Sequence, residues 1–280
     1  MMIKVALPNK GVLYQPSIDL LQASGFDIEK PTKSLYYIDS KNEIEFYFLR
    51  ASDIPMYLSN KIIDIGFTGV DLHVEKNGLA KKVFDLPFGS SKLCVASNNK
   101  DLVSLRDISN LRLATSFPNI VRNHFSEKNI DIIKLDGAVE ISISLGLADC
   151  IVDVVETGAS LRAAGLEIIS EPIFRSNAAV YSIHEHKSNH RIDKFLQRVQ
   201  GRLIASEYNM IEYDVLSETL DSACRLTPGI ESPTISQLKS NNWFSVKSMV
   251  KKQDAQEIMD QLHAIGCKAI LLTNIEMARI

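Results

Sequence analysis

Residues 147–166 read LADCIVDVVETGASLRAAGL, and the rhythm of the chain changes twice within them. Cys150 to Val155 is an apolar run of the length of a buried strand. Thr157, Gly158 and Ser160 supply a polar, glycine-containing turn, and Leu161 to Leu166 open a helix-forming segment. The first N–H groups of a helix lack internal partners, and the helix dipole favours negative charge there. A strand that turns directly into a helix is therefore a natural anion cradle. Asp153, towards the carboxyl end of the strand, can accept hydrogen bonds from hydroxyls or reach a metal ion. An acid followed by a phosphate-sized cradle suits a ribose phosphate better than a bare sulfate.

The pattern occurs twice. Asp64-Ile-Gly-Phe-Thr68-Gly69-Val-Asp71-Leu72 and Asp153-Val-Val-Glu-Thr157-Gly158-Ala-Ser160-Leu161 share D-x-x-x-T-G-x-x-L, and the same offset aligns Leu58 with Leu147 and Ile62 with Ile151. This register predicts two similar α/β lobes, each directing a helix N-terminus at one cleft beyond the carboxyl ends of its strands.

The 280 residues hold 31 Lys plus Arg against 34 Asp plus Glu, a net charge of −3 that gives no general attraction to nucleic acid or anionic membrane. The start, MMIKVALPNKGVL, is broken by Pro8 and is too short for a signal sequence. No stretch approaches the ~18 apolar residues of a spanning helix. The four cysteines, Cys94, Cys150, Cys224 and Cys267, form no C-x-x-C pair and suit reduced thiols. A cytoplasmic protein is expected.

Strands are predicted at Lys4–Leu7, Glu43–Leu49 and Ile62–Phe67, with helices at 14–25 and 54–59, the latter capped by Ser52 or Asp53. Near Phe88-Gly89-Ser90-Ser91 the chain should cross into a second lobe with strands at Lys92–Ala96, Leu111–Thr115 and Ile132–Lys134 and a helix at 118–128. Ala178–Ile183 returns to the first lobe, and a long amphipathic helix begins at Ser188 or Asn189. Beyond it the order β-α-β-β-α-β fits a ferredoxin-like module, with Asp254 and Gly266 bracketing its last helix. The division expected is 1–89 plus 178–207, 90–177, and 208–280.

Two lobes around an anion cleft also describe a solute-binding or sensor protein. The absence of an export signal and of a helix-turn-helix region counts against both. The alternating His184, His186 and His190 have no companion cysteine and read as solvated histidines rather than a zinc site.

The run Glu140-x5-Gly146-x-Ala148-Asp149-x-Ile151-x-Asp153-x3-Thr157-Gly158-x-Ser160-Leu161 closely resembles the signature of the ATP phosphoribosyltransferases. PNKGVL (8–13), FLRASDIP (48–55), DIGFTGVDL (64–72), FGSSKL (88–93) and ATSFPNIVR (114–122) resemble further blocks of that family, in order. LTPGIESPT (226–234) and AIGCKAILL (264–272) are similar to the regulatory domain of its long form. The resemblance implies an α/β, two-lobed core of the type II periplasmic-binding-protein kind and a C-terminal ferredoxin-like (ACT-like) α+β domain. The reaction implied joins ATP to 5-phosphoribosyl 1-pyrophosphate, with Mg²⁺ accompanying the pyrophosphate and no protein ligand assigned to the metal. Thr157, Gly158, Ala159, Ser160 and Leu161 would cradle the 5′-phosphate, Asp153 would face the ribose hydroxyls, and Glu140 would be a second carboxylate. Lys10 and Arg50 would take pyrophosphate or ATP phosphates, and Asp71 would lie near the nucleotide; in the plainer reading these are solvated charges and a helix cap. L-Histidine as inhibitor would bind Asp214, with Ile230, Ser232, Thr234 and Ala269 lining its pocket, in a homo-oligomer of dimer to hexamer size. Many family members carry Arg where Val12 and Lys92 stand, Thr for Ser160 and Asn for Ala164. Ser160 keeps the hydroxyl, whereas Val12 and Lys92 remove guanidinium groups from substrate-facing positions.

Overall fold

The computed structural model describes residues 2–29, 34–99, 102, 104–105, 108–155, 158–184 and 189–279. The chain forms two compact units, Met1–Asp19 with Asp27–Ile192, and Leu20–Phe26 with Asp193–Ile280.

The first unit holds two sheets. Its first lobe contains β1 (Ile3–Pro8), α1 (Tyr14–Ala23, which runs on into the second unit), β2 (Tyr36–Asp39), β3 (Ile44–Leu49), α2 (Ile54–Ser59), β4 (Ile65–Gly69), α3 (Val70–Glu75) and β5 (Lys81–Asp85). The second lobe contains β6 (Ser91–Ser97), β7 (Arg112–Thr115), α4 (Pro118–His124), β8 (Asp131–Lys134), α5 (Ile141–Ser144), β9 (Cys150–Val155), α6 (Ala159–Ala163), β10 (Glu167–Ile168) and β11 (Phe174–Ser176). The chain then returns to the first sheet as β12 (Ala178–Ser182).

The first sheet has the order β2-β3-β1-β4-β12-β5, with β3, β1 and β4 parallel. These strands read as near-continuous apolar runs because helices cover the sheet; Val5, Ala6, Leu7, Ile65 and Phe67 are buried. The second sheet runs β10-β6-β9-β7-β8, with β11 also paired to β6. Strands β7, β8 and β9 are parallel, and Leu93, Val95, Leu113, Ile120, Val121 and Val152 form their core. Parallel strands end on a common edge, so each lobe gathers the loops that follow them at one rim. The two crossings between lobes lie side by side, with Ser91 opposite Ser176 at their junction.

The second unit contains α7 (His190–Glu207, from Asp193 on), β13 (Tyr208–Leu216), α8 (Leu220–Leu226), β14 (Thr234–Gln237), β15 (Trp243–Lys251), α9 (Ala255–Ala264) and β16 (Lys268–Asn274). Its sheet order, β14-β15-β13-β16 with antiparallel pairs throughout, is the ferredoxin-like arrangement read from the sequence. Ile211, Tyr213, Val215, Val246 and Leu262 form its core. Residues 193–207 group with this sheet by their contacts, which differs from a boundary at 208. The cause is packing on α7: Phe195 meets Phe26 at a ring separation of 4.7 Å, and the Ala278 N–H donates to the Gly201 carbonyl at 3.1 Å.

Gly201 is the seat of that C-terminal segment, since a Cβ there would fall 2.1 Å from the Ala278 carbonyl oxygen. Gly201→Ala is therefore expected to undock residues 276–279 while sparing the helix, which alanine favours. Limited proteolysis should then trim the tail several-fold faster; an unchanged cleavage rate would contradict the contact.

Helix α6 begins at Ala159 and ends at Ala163, earlier than the 161–166 segment expected, because Gly158 turns the chain at φ +71° and Gly165 closes it, also at φ +71°. Helix α4 likewise stops at His124 rather than 128. Asp53 stands at the N-cap of α2 without a side-chain cap bond, so neither it nor Ser52 caps that helix; the Ser52 hydroxyl donates to Asp53 instead. Among the described residues no helix is long and apolar enough to cross a membrane.

Candidate active site

Asp153 lies on β9, the inner strand between β6 and β7. Burial pushes its carboxyl above the usual carboxylate range; the Val154 N–H, donated at 2.8 Å, pulls it down, and Glu140 adds repulsion that raises it again. Glu140 is half-buried just before α5, so the structure brings these two acids into one electrostatic neighbourhood. Beyond β9, Thr157 lies outside the described residues. Gly158 is buried and left-handed, Ala159 and Ser160 are exposed, and Leu161 is anchored among Ala96, Ala114, Val139 and Ile151. One buried leucine thus holds a short helix whose start stays open to solvent.

The echo in the first lobe is built differently. Thr68 is fully buried and donates its hydroxyl to the Ala51 carbonyl at 2.7 Å, so it serves the fold. Gly69 has φ −73°, not the left-handed turn of Gly158. Asp64 precedes β4, accepts the Lys4 N–H at 2.7 Å and sits 2.8 Å from His184 Nε2. The shared motif yields a strand and a helix in both lobes, but the left-handed glycine belongs to the second.

Lys10 is exposed in the turn after β1, and Arg50 is exposed after β3. The two turns are neighbours because the strands are parallel partners and the Asn9 N–H donates to the Leu49 carbonyl at 2.7 Å. Arg50, Ser52 and Asp53 form one wall of a cleft of 870 Å³. Across it stand Ser116, Phe117, Asn119, Arg122, Lys134 and Asp136 of the second lobe. Four cations against three carboxylates, counting Lys76, Glu75 and Asp53 at the margin, give a rim suited to polyanions without making it uniformly basic. Arg50 is the sequence-derived site residue in this lining. Sequence reasoning assigned no role to Ser116, Asn119 or Arg122, although ATSFPNIVR was itself a family-like block.

Asp71 sits at the junction of the lobes. It is 7% exposed; its N–H donates to Ser176 Oγ at 3.0 Å, and its carboxylate accepts the Leu72 N–H at 2.8 Å. The Ser91 hydroxyl reaches it at 3.5 Å. Both partner serines lie on the crossing strands, so Asp71 is placed to tie the crossover.

In the second unit Asp214 is half-buried on β13, opposite Ser245 and Lys268. The β13–β16 register shifts between Glu212 and Asp214, and Ala269 has φ +48°, an irregularity beside this acid. Thr234 starts edge strand β14, while Ile230 and Ser232 precede it, exposed. A buried network anchors that loop: Tyr213 and Thr227 hydroxyls are 2.7 Å apart, and Ser248 Oγ donates to the Thr227 carbonyl at 2.8 Å.

The cysteines are free, and burial pushes the Cys150 thiol up to about 12. Among the described residues no group of three His, Cys, Asp or Glu side chains is disposed to hold a metal. His186 lies outside the described residues, and His184 has Asp64 as its partner.

Two α/β lobes joined by paired crossings around a polar cleft define a protein of the periplasmic-binding-protein type. A putative L-cystine ABC transporter from Listeria monocytogenes shares that fold, at a TM-score of 0.50 and 14% identity over 74% of this chain and 92% of that one. The HisG, ATP phosphoribosyltransferase, family profile matches residues 50–201, and that of the HisG C-terminal domain matches 205–277. The ATP phosphoribosyltransferases of Streptomyces avermitilis and Salinispora tropica are each 41% identical to the chain over the full length of both proteins. A chain of the ATP phosphoribosyl transferase (HisG:HisZ) complex from Thermotoga maritima superposes at a TM-score of 0.62, with 30% identity, covering 71% of this chain and 97% of that one. The chain belongs to the ATP phosphoribosyltransferase family, the pentosyltransferases that open histidine biosynthesis, in its long form with a C-terminal domain.

Proposed function

We propose that the chain carries out its family's reaction at the facing rims of the first unit. Adenine N1 of ATP attacks C1 of 5-phosphoribosyl 1-pyrophosphate, the N1–C1 bond forms, and the C1–oxygen bond breaks to release pyrophosphate. The carrying observation is the left-handed Gly158 beyond Asp153, with Ala159 and Ser160 exposed at the start of the helix that follows it. Gly158 to Leu161, with Thr157, hold the 5′-phosphate through N–H and hydroxyl groups, and Asp153 accepts from the ribose hydroxyls. Adenine N1 is a weak nucleophile, so the ribose gains oxocarbenium character. Holding both reactants in line and stabilising the departing polyanion is then most of the catalysis. Lys10 and Arg50 supply that stabilisation from the first lobe, next to the ATP phosphates.

A Mg²⁺ ion arriving on pyrophosphate needs few protein carboxylates, and Asp153 with Glu140 is an acidic pair whose mutual repulsion a cation relieves. When bound, the ion neutralises charge on the leaving group. The C-terminal unit binds L-histidine at Asp214 and the 230–234 segment, giving feedback inhibition within a cytoplasmic homo-oligomer.

The reading is tested by mixing the protein with ATP, 5-phosphoribosyl 1-pyrophosphate and Mg²⁺ and following the ultraviolet absorbance of an N1-substituted adenine. Absence of product, with histidine binding retained, would remove the catalytic reading and leave a regulatory protein. Asp214→Ala should raise the histidine concentration for half-inhibition at least tenfold and leave uninhibited turnover within about twofold, as expected for losing one charged hydrogen bond. Unchanged inhibition would move the histidine site elsewhere.

A further inference from the structure

Glu75, the last residue of α3, belongs to the first lobe, but its carboxylate bonds to the second. It is 7% exposed. Its Oε2 accepts the Asn119 N–H at 2.9 Å and the Ile120 N–H at 3.1 Å, and Oε1 lies 3.2 Å from the Asn119 nitrogen. The Asn119 side-chain amide returns a bond to the Glu75 carbonyl at 2.8 Å.

The first turn of α4 explains why this carboxylate matters. Pro118 has no N–H, and the Val121 N–H goes to the Phe117 carbonyl at 3.1 Å. The Phe117 N–H goes to Thr115 Oγ1 at 3.0 Å. The remaining donors are those of Asn119 and Ile120, and both are satisfied by Glu75. A serine or aspartate at the N-cap would have satisfied them locally; Phe117 stands there with no side-chain cap. The capping charge therefore comes from α3 of the first lobe, whose Leu72 and Val74 also pack on the second lobe's core, and it pins the start of α4 at the edge of the cleft that Arg50 and Asn119 line.

We propose that Glu75 is a positioning residue that sets the spacing of the two cleft walls before substrate arrives. The proposal rests on the reading above that a substrate's phosphates lie along this cleft. Glu75→Ala should raise the KM for ATP about tenfold with kcat reduced less than about threefold, the loss expected when buried donors are left unpaired and a wall shifts. Glu75→Gln keeps one acceptor oxygen and should give about a third of that effect. Asn119→Pro is a second route, since proline is tolerated in the first helical turn and removes both the Asn119 N–H and the side-chain amide that bonds the Glu75 carbonyl. If Glu75 acts through α4, the double variant Glu75→Gln with Asn119→Pro is less impaired than the product of the single effects.

A lowered Tm with both KM values unchanged, or strictly multiplicative effects, would overturn the proposal. A rise confined to the KM for 5-phosphoribosyl 1-pyrophosphate would uphold the spacing role and overturn the placement of ATP. Calorimetric binding of ATP to each variant reads the same spacing without turnover, so an inactive wild type would remove the catalytic reading while this test still decides the positioning role.

Discussion

Asp153→Asn is expected to lower kcat/KM by about 10²–10³-fold, the range that follows from removing one preorganised group aimed at charge developing in the transition state. Asparagine is nearly isosteric, and its oxygen still accepts the Val154 N–H, so the strand is kept. What is lost is the negative charge beside a ribose that becomes cation-like as pyrophosphate departs. The same substitution should raise the thermal stability of the free protein. Burial, with a smaller contribution from Glu140, makes ionised Asp153 unfavourable in the fold, and the Val154 N–H offsets only part of this. A variant that is more stable and far less active places the residue in the function rather than in the scaffold.

The pH dependence follows from the direction of that shift. Asp153 has a raised folded pKa, so its contribution to stability is present below the ordinary carboxylate pKa and is lost as pH rises through the folded value. Wild type and Asp153→Asn should therefore converge in Tm at acid pH and separate towards neutrality. Activity moves the other way: kcat/KM of the wild type falls as pH drops through the raised pKa, because the protonated acid no longer opposes the ribose charge. A Tm difference that widens in acid would contradict the assignment of burial as the cause.

Local rules made the elements around β9 and the C-terminal module legible. Cys150–Val155 is apolar because both neighbouring strands and the helices cover it, and β14-β15-β13-β16 follows from alternation and two well-marked helices. Strands β2 and β5 were not anticipated. β5 (KKVFD) is largely exposed at a sheet edge, so no apolar pattern marks it; its pairing with β12 holds it in place. The motif echo misled in part, since two chemically similar turns differ in backbone conformation: Gly69 is extended and Gly158 left-handed. The cleft's second wall was hidden for another reason. Ser116, Asn119 and Arg122 face Arg50 only because β7 and β3 end on opposing rims, a juxtaposition between segments far apart in sequence. Glu75 shows the same limit, because its partners are backbone N–H groups, and backbone donors leave no residue signature.

Gly158→Val is expected to raise the KM for 5-phosphoribosyl 1-pyrophosphate about 10²-fold while leaving the KM for ATP within about twofold. The backbone at Gly158 has φ +71°, which costs a residue with a side chain about 1–2 kcal/mol, and a β-branched one most. Space is short as well: a Cβ there would lie 3.0 Å from Arg162 Nη1, before valine's two methyl groups are counted. The chain must either bear the strain or re-route the turn, and re-routing turns the first N–H groups of α6 away from the anion. Losing two such bonds to an anion at about 1.5 kcal/mol each gives about 3 kcal/mol, close to the two decades proposed. Because Leu161 stays seated in its own cluster, the second lobe should keep its fold and the variant should melt cooperatively. Equal losses for both substrates would mean that the turn supports the cleft as a whole and would remove the phosphate from Gly158.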